Sequence, residues 1–375
     1  MTATSFQVWG PLFLAAIVTA VMTPLAVWFA PKIGAMDIPK DARRVHNKPM
    51  PRFGGAAIYI GMMTSLSVFA LNGRGVLPIM IGCTLVYALG LIDDLTDMRP
   101  IIKFAGQMLA ATVVFAMGVR ITFVKITIID LLFTSGHPIL FGNVIDYLVT
   151  VLWLVAITNA VNLIDGLDGL AAGIAAISAL CIAYVAYIHG YELPTMLMMA
   201  VAGSALGFLP FNFHPAKIFM GDGGSQLLGF AIAAFSVQGT VKGATIMVVL
   251  LPALVLGLPI FDTLMAIIRR TSRHQSISTA DKEHLHHKIM KAGFGQRRAV
   301  LLMYSLSGIM GIMAVLYSRG LYVECVGLLA IAAMIVGVIL TDTGKNNISL
   351  KGRRILKEDL GDEGKWKRGR KRNPK

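Results

Sequence analysis

Stretches of roughly 20 residues with almost no charge recur along this chain between residues 8 and 341, separated by short polar loops. Inside a bilayer every backbone N–H and C=O must be satisfied within the protein, so runs of this kind dictate membrane-spanning helices. Eleven are expected, near residues 8–30, 53–72, 76–92, 104–118, 144–161, 169–189, 193–210, 226–240, 243–268, 299–318 and 321–341. Composition argues against a soluble core: 56% of the 375 residues are hydrophobic and 14% are charged, whereas a soluble domain carries about 25% charged residues. The fold class expected is an all-α polytopic membrane protein.

The first apolar run, from Leu12 to Ala30, has no basic residue before it and Lys32 just after it. A signal peptide shows the reverse order, so an uncleaved first helix with its N-terminus outside is expected. Loops after odd-numbered spans then face the cytoplasm. Of the 34 Lys and Arg residues, 29 fall on that side, and only Arg74, Arg120, Lys125, Lys242 and Arg319 on the other. This is the positive-inside bias. The formal net charge of +14 therefore serves topology and does not point to nucleic acid, since the basic residues lie between apolar runs rather than along one amphipathic face.

Residues 121–140 are too polar and β-branched to span. The alternation that begins Ile121-Thr122-Phe123-Val124, with a Ser135-Gly136 turn, predicts a small external β-hairpin. A membrane catalytic domain over residues 1–341 is expected to precede a basic, disordered cytoplasmic tail at 342–375. Cys83, Cys181 and Cys325 stand far apart, inside spans and without metal-type spacing, so they read as packing residues.

Four polar clusters interrupt the pattern, all in loops assigned to the cytoplasmic side. They are IDDLTD (92–97), NAVNLIDGLDG (159–169), FMGDGGS (219–225) and DKEHLHH (281–287). Solvated turns and helix caps account for Asp168, Ser225 and Asp97. They do not account for Asp93, Asp94 and Asp165, which directly follow apolar helices, where the macrodipole is negative and acids are disfavoured. These carboxylates need an external cation, either a metal ion or basic side chains from another loop. Carboxylates and an amide oxygen are hard donors that suit magnesium or manganese, commonly shared with substrate phosphates.

His284, His286 and His287 are unevenly spaced and have no cysteine partner. They read as donors to a pyrophosphate rather than as zinc ligands. The glycines of residues 221–224 match neither a P-loop nor a Rossmann fingerprint. They would let the backbone approach a ligand, and the following helix would offer its N-terminus to an anion. A fifth, basic cluster at residues 43–52 fits either topology-setting charge or phosphate contact. Asp262, inside a span and seven residues before Arg269, is expected in a structural pairing with a loop cation.

Five segments in this order, HNKPMPRFGG (46–55), IDDLTD, NAVNLIDGLDG, FMGDGGS and HLHH, resemble the polyprenyl-phosphate N-acetylhexosamine-1-phosphate transferase family. The resemblance covers residues 32–298. HLHH together with PIFDT (259–263) is most similar to the bacterial undecaprenyl-phosphate N-acetylglucosamine-1-phosphate branch.

The resemblance implies transfer of GlcNAc 1-phosphate from UDP-GlcNAc to undecaprenyl phosphate at the cytoplasmic face of a bacterial inner membrane. UMP is released, and the lipid-linked sugar starts a cell-envelope polysaccharide. It also implies roles for particular residues. Asp222 and Asn162 would hold Mg2+, or Mn2+ in its place, with Asp165 shaping that site. Asp93 and Asp94 would act on the acceptor phosphate or its water and metal shell. Asp168 would meet the uracil, Lys48 and Lys103 the phosphates, and His284, His286 and His287 the diphosphate or sugar. Asp93 matches a proposed base. However, a phosphate monoester has its second pKa near 6 and is mostly ionised at neutral pH, so organising geometry is an equal reading.

UDP-MurNAc-pentapeptide or UDP-GalNAc as donor are the alternatives within this chemistry. A secondary transporter is the alternative outside it, but transporters gather polar residues at the midplane of repeated halves. Here they gather at one interface, and no repeat is visible. The partners expected are the UDP-N-acetylhexosamine, the lipid acceptor and membrane lipid, with a homodimer left open.

Overall fold

The computed structural model describes residues 5–38, 49–124, 139–140, 142–238, 252–272, 285–291, 293–335 and 337. The described helices are α1 (Ser5–Ile33), α2 (Gly54–Phe69), α3 (Val76–Thr96), α4 (Pro100–Ala116), α5 (Asn143–Ile164), α6 (Leu170–Ile188), α7 (Glu192–Asn212), α8 (Gly221–Gln238), α9 (Gly257–Ser272), α10 (Leu285–Lys291), α11 (Gln296–Ser318) and α12 (Tyr322–Ile335). Six of them, α1, α3, α5, α6, α7 and α11, are long and apolar enough to cross a membrane, and α2, α4 and α12 are shorter apolar helices. The protein is all-helical and multi-pass.

Lipid leaves its mark on α1. Phe6, Trp9, Phe13, Ile17, Val21, Leu25 and Trp28, three or four residues apart, are all more than half exposed. An apolar stripe of that length facing outward is the signature of a hydrocarbon solvent rather than water.

Several boundaries differ from those expected. α4 begins at Pro100, four residues before the expected span, because proline at the first helical position gives up an N–H that would have no partner there. Lys103 therefore sits in a first helical turn. α8 begins at Gly221, which makes the GDGG segment helical rather than a loop ahead of a helix. Part of the expected span at 243–268 lies outside the described residues, as do the Ser135-Gly136 turn and the tail at 342–375. Strands β3 (Phe123–Val124) and β4 (Ile139–Leu140) pair antiparallel, Phe123 opposite Leu140, as the hairpin requires. A second pair, β1 (Met36–Asp37) and β2 (Met50–Pro51), was not anticipated, since two residues are too few to show alternation.

At the centre stands α8, packed against α2, α3, α5 and α7, with Leu227, Leu228, Phe230 and Phe235 fully buried. Helices in lipid associate through close packing of small residues, and that is the use made of the glycines here. A Cβ on Gly90 of α3 would lie 2.6 Å from the Asp222 carbonyl oxygen, and one on Gly55 of α2 would lie 2.4 Å from the Gly224 nitrogen. Gly224 thus faces the backbone of α2, not a ligand as the sequence suggested. Gly90→Ala is expected to push α3 from α8, costing about 1–3 kcal/mol. A lower thermal midpoint in detergent would register it, and an unchanged midpoint would mean the helices part without cost.

Candidate functional site

One end of the bundle collects the C-termini of α3 and α5 and the N-termini of α2, α4, α6 and α8. The segment leading into α2 is fastened there by its backbone. Phe219 N donates to Pro51 O (2.8 Å), Gly54 N to Phe219 O (3.0 Å) and Gly55 N to Met220 O (2.8 Å). These bonds set Arg52 beside the first turn of α8.

Two adjacent aspartates at the end of α3 point to different tasks. Asp94 accepts the backbone N–H groups of Asp222 (2.8 Å) and Gly223 (3.0 Å). It therefore caps α8 from another helix, where a negative charge is favourable. The anion received by this helix N-terminus is the Asp94 carboxylate, not a substrate phosphate. Arg52 Nε lies 2.9 Å from the same carboxylate, whose side chain is only 3% exposed.

Asp93 accepts the Met98 N–H at 2.9 Å and pairs with Lys103 Nζ at 2.8 Å. Lys103 also bonds Asp222 Oδ2, so one ammonium joins both carboxylates. The other oxygen of Asp222 faces Arg52 Nη2 at 3.3 Å and accepts from Asn162 Nδ2 at 3.0 Å. The cations that the acids at helix C-termini required are thus Arg52 and Lys103, basic side chains from other segments.

Asp165 caps the C-terminal end of α5. Burial and then the Asp222 charge push its carboxyl up to about 7, with Arg52 opposing and Asp94 and Asp168 adding to the rise. The acids of the site act on Arg52 in reverse. Burial works against its charge, but Asp94, Asp222, Asp165 and Asp93 outweigh it and hold the guanidinium above its ordinary pKa. Among the described residues four carboxylates therefore share two cations, and the deficit is positive charge.

Among the described residues no three His, Cys, Asp or Glu side chains converge as a metal cage. Magnesium does not require one: it is usually held by one or two carboxylates, keeps several waters and completes its shell with substrate phosphates. The hard-oxygen donors and the charge deficit fit such an ion.

Asp168 lies at the same end but organises a neighbouring loop. Its Oδ2 meets His214 Nδ1 at 2.8 Å and accepts the Ala216 N–H at 3.1 Å. Asn212 ties this loop to the start of α6 by accepting from Gly169 N (3.0 Å) and donating to Ile218 O (2.9 Å). From α11, Tyr304 donates to Gly169 O at 2.5 Å and Arg297 Nε to His214 O at 3.1 Å. Asp262, 4% exposed, accepts the Leu285 N–H at 2.9 Å. It caps α10, the helix that carries His286 and His287.

The structure therefore brings together Asp93, Asp94, Lys103, Asn162, Asp165 and Asp222, with Asp168 alongside. Lys48 and His284 lie outside the described residues. Arg52 and His214 belong to the site and were not singled out from the sequence. The only signal for Arg52 was its place in the basic cluster at 43–52, and His214 had none.

Comparison with known proteins places the chain in a family. The model of glycosyl transferase family 4 matches residues 76–240. The chain is 38% identical to a probable undecaprenyl-phosphate N-acetylglucosaminyl 1-phosphate transferase of Bacillus subtilis, over 90% of this chain and 93% of that protein. It is 30% identical to an undecaprenyl-phosphate alpha-N-acetylglucosaminyl 1-phosphate transferase of Thermotoga maritima, over 82% and 91%. It is 35% identical to a phospho-N-acetylmuramoyl-pentapeptide-transferase of Moorella thermoacetica, over 80% and 96%. With relatives of this identity spanning nearly their whole length, the chain belongs to glycosyl transferase family 4.

Proposed function

We propose that this protein transfers GlcNAc 1-phosphate from UDP-GlcNAc to undecaprenyl phosphate, releasing UMP, at the cytoplasmic face of a bacterial plasma membrane. The observation that carries the reading is the Arg52, Asp94, Asp222, Lys103 and Asp93 cluster at one end of an apolar bundle. A site at the end of such a bundle would meet both a water-soluble nucleotide and a membrane lipid. The GlcNAc donor is supported by the names of the Bacillus and Thermotoga relatives.

In the reaction an oxygen of the acceptor phosphate attacks the β-phosphorus of the donor. The new P–O bond forms as the bond to the bridging oxygen breaks, and that oxygen leaves with its electron pair on UMP. Both reactants are anions, so positioning and charge neutralisation carry the catalysis. Asp222 and Asn162 would hold a magnesium ion, with manganese the alternative, and Asp165 would shape its surroundings. When bound, that ion supplies positive charge to the diphosphate.

Lys103 and Arg52, already placed between the acids, orient phosphate oxygens, with Lys48 assigned beside them. Asp93, paired with Lys103, organises the acceptor phosphate through that ammonium or through its water and metal shell. Asp94 serves the site by holding α8 and Arg52. Asp168 is assigned to the uracil, and His284, His286 and His287 to the diphosphate or sugar.

The donor is tested by offering purified protein UDP-GlcNAc, UDP-GalNAc and UDP-MurNAc-pentapeptide with undecaprenyl phosphate. Lipid-linked product from UDP-GlcNAc alone is expected. Product chiefly from the pentapeptide donor would favour the second reading, which the Moorella relative's name supports.

The topology belongs to the same proposal: eleven spans, the N-terminus outside, and the basic tail at 342–375 inside. Single cysteines at Asp97 and Lys217 should react with an impermeant reagent only from the cytoplasmic side, and one at Lys125 only from outside. Labelling of Lys217 and Lys125 from one face would contradict the span count.

A further inference from the structure

One helical turn below the charged cluster lies a chain of side-chain amides that the reaction does not use. Asn159 Nδ2 donates to Gln107 Oε1 at 2.6 Å, and Gln107 Nε2 donates to Gln226 Oε1 at 3.0 Å. The three residues sit on α5, α4 and α8. Each stands three or four positions from a site residue on its own helix: Asn159 from Asn162, Gln107 from Lys103, Gln226 from Asp222. Gln107 and Gln226 are buried, at 1% and 0% exposure, and Gln226 Nε2 has no hydrogen-bond partner among the described residues.

As a stabilising device this chain is a poor choice. Interhelical hydrogen bonds in membranes contribute modestly, and an orphaned buried amide costs more than an apolar side chain of the same shape. As a gauge of register it is well suited. Apolar helix faces tolerate small axial slides, whereas a hydrogen bond fails once its distance grows by a few tenths of an ångström.

We propose that Asn159, Gln107 and Gln226 are positioning residues for phosphoryl transfer, locking the axial register of α4, α5 and α8 so that Lys103, Asn162 and Asp222 meet. The proposal rests on the transferase reading above. A misplacement on the order of 1 Å is worth roughly 10²-fold in rate, so the effect belongs in turnover rather than in substrate affinity.

The test compares the purified full chain with Gln107→Leu, Gln226→Met and Gln107→Glu variants, assayed with UDP-GlcNAc, undecaprenyl phosphate and varied magnesium. Gln107→Leu and Gln226→Met should lose roughly ten- to a hundred-fold in kcat, with KM for UDP-GlcNAc unchanged. The thermal midpoint should stay near that of the wild type in Gln226→Met, which removes an orphaned amide, and fall in Gln107→Leu, which orphans the Gln226 carbonyl. Gln107→Glu should restore most of kcat, because a neutral carboxyl can accept from Asn159 and donate to Gln226. Wild-type kcat in Gln226→Met, or activity lost only in step with thermal stability and equally in Gln107→Glu, would overturn the proposal. Gln226→Met nearly conserves volume and keeps the test decisive should Gln107→Leu fail to fold. Absence of product from the wild type in the same assay would instead remove the transferase reading itself.

Discussion

An Asp222→Asn protein is expected to fold normally and to lose turnover roughly a hundred- to a thousand-fold, the scale seen when one electrostatic group is removed from a transition-state site. Asn keeps the size of the side chain and can still accept from Asn162. What it loses is the charge on which Arg52 and Lys103 both converge. The backbone N–H of residue 222 stays bonded to Asp94, so α8 keeps its cap and its stability. A magnesium titration separates the outcomes: activity near that of the wild type at any magnesium concentration would remove Asp222 from the metal site.

A comparable loss is expected from Lys103→Met. The ammonium lies between Asp93 and Asp222, and without it two carboxylates face each other at the end of the bundle. Removing one partner of a buried charge pair costs about 3–5 kcal/mol, and the 19% exposure of Lys103 places the case at the lower end. Turnover should fall about a hundred-fold or more, and saturation should require more magnesium as added cation takes over part of the lost charge. Lys103→Arg should not restore the rate, since a planar guanidinium cannot occupy the space of a compact ammonium between two carboxylates. Normal turnover in Lys103→Met would make this lysine a topology charge only.

How far this site was legible in the sequence depends on what each residue does. Asp222, at a helix N-terminus, was marked only by the family resemblance. Asp93, Asp94 and Asp165 stood out because acids at the C-terminal ends of apolar helices break two rules at once, hydropathy and the macrodipole. Their need for cations could be deduced, but the identity of those cations could not. Arg52 reaches Asp94 and Asp222 only because backbone bonds splice residues 51–55 to residues 219–220, a contact between segments far apart in the chain. Asp94 looks like a twin of Asp93, yet consecutive residues on a helix face different directions, and one turns inward to cap α8. Capping by a residue on another helix leaves no local spacing to read.

The fold was legible where it rests on apolar length, as in α1, α3, α5, α6, α7 and α11. It was less so where a glycine-rich segment such as residues 221–224 can be either a loop or a helix start. There the decision belongs to Gly55 and Gly90, whose missing side chains admit the helix. Gln107 and Gln226 were hidden inside spans, where a single uncharged polar residue barely disturbs the hydropathy.

The central claim is that this site moves a sugar together with its phosphate onto a lipid phosphate. It is tested most directly with UDP-GlcNAc carrying radiophosphorus in the β position, incubated with the purified chain, undecaprenyl phosphate and magnesium. The label should appear in the organic phase as a lipid diphosphate sugar while unlabelled UMP accumulates in the aqueous phase. Label recovered as UDP in the aqueous phase, with the sugar alone passed to lipid, would contradict the account.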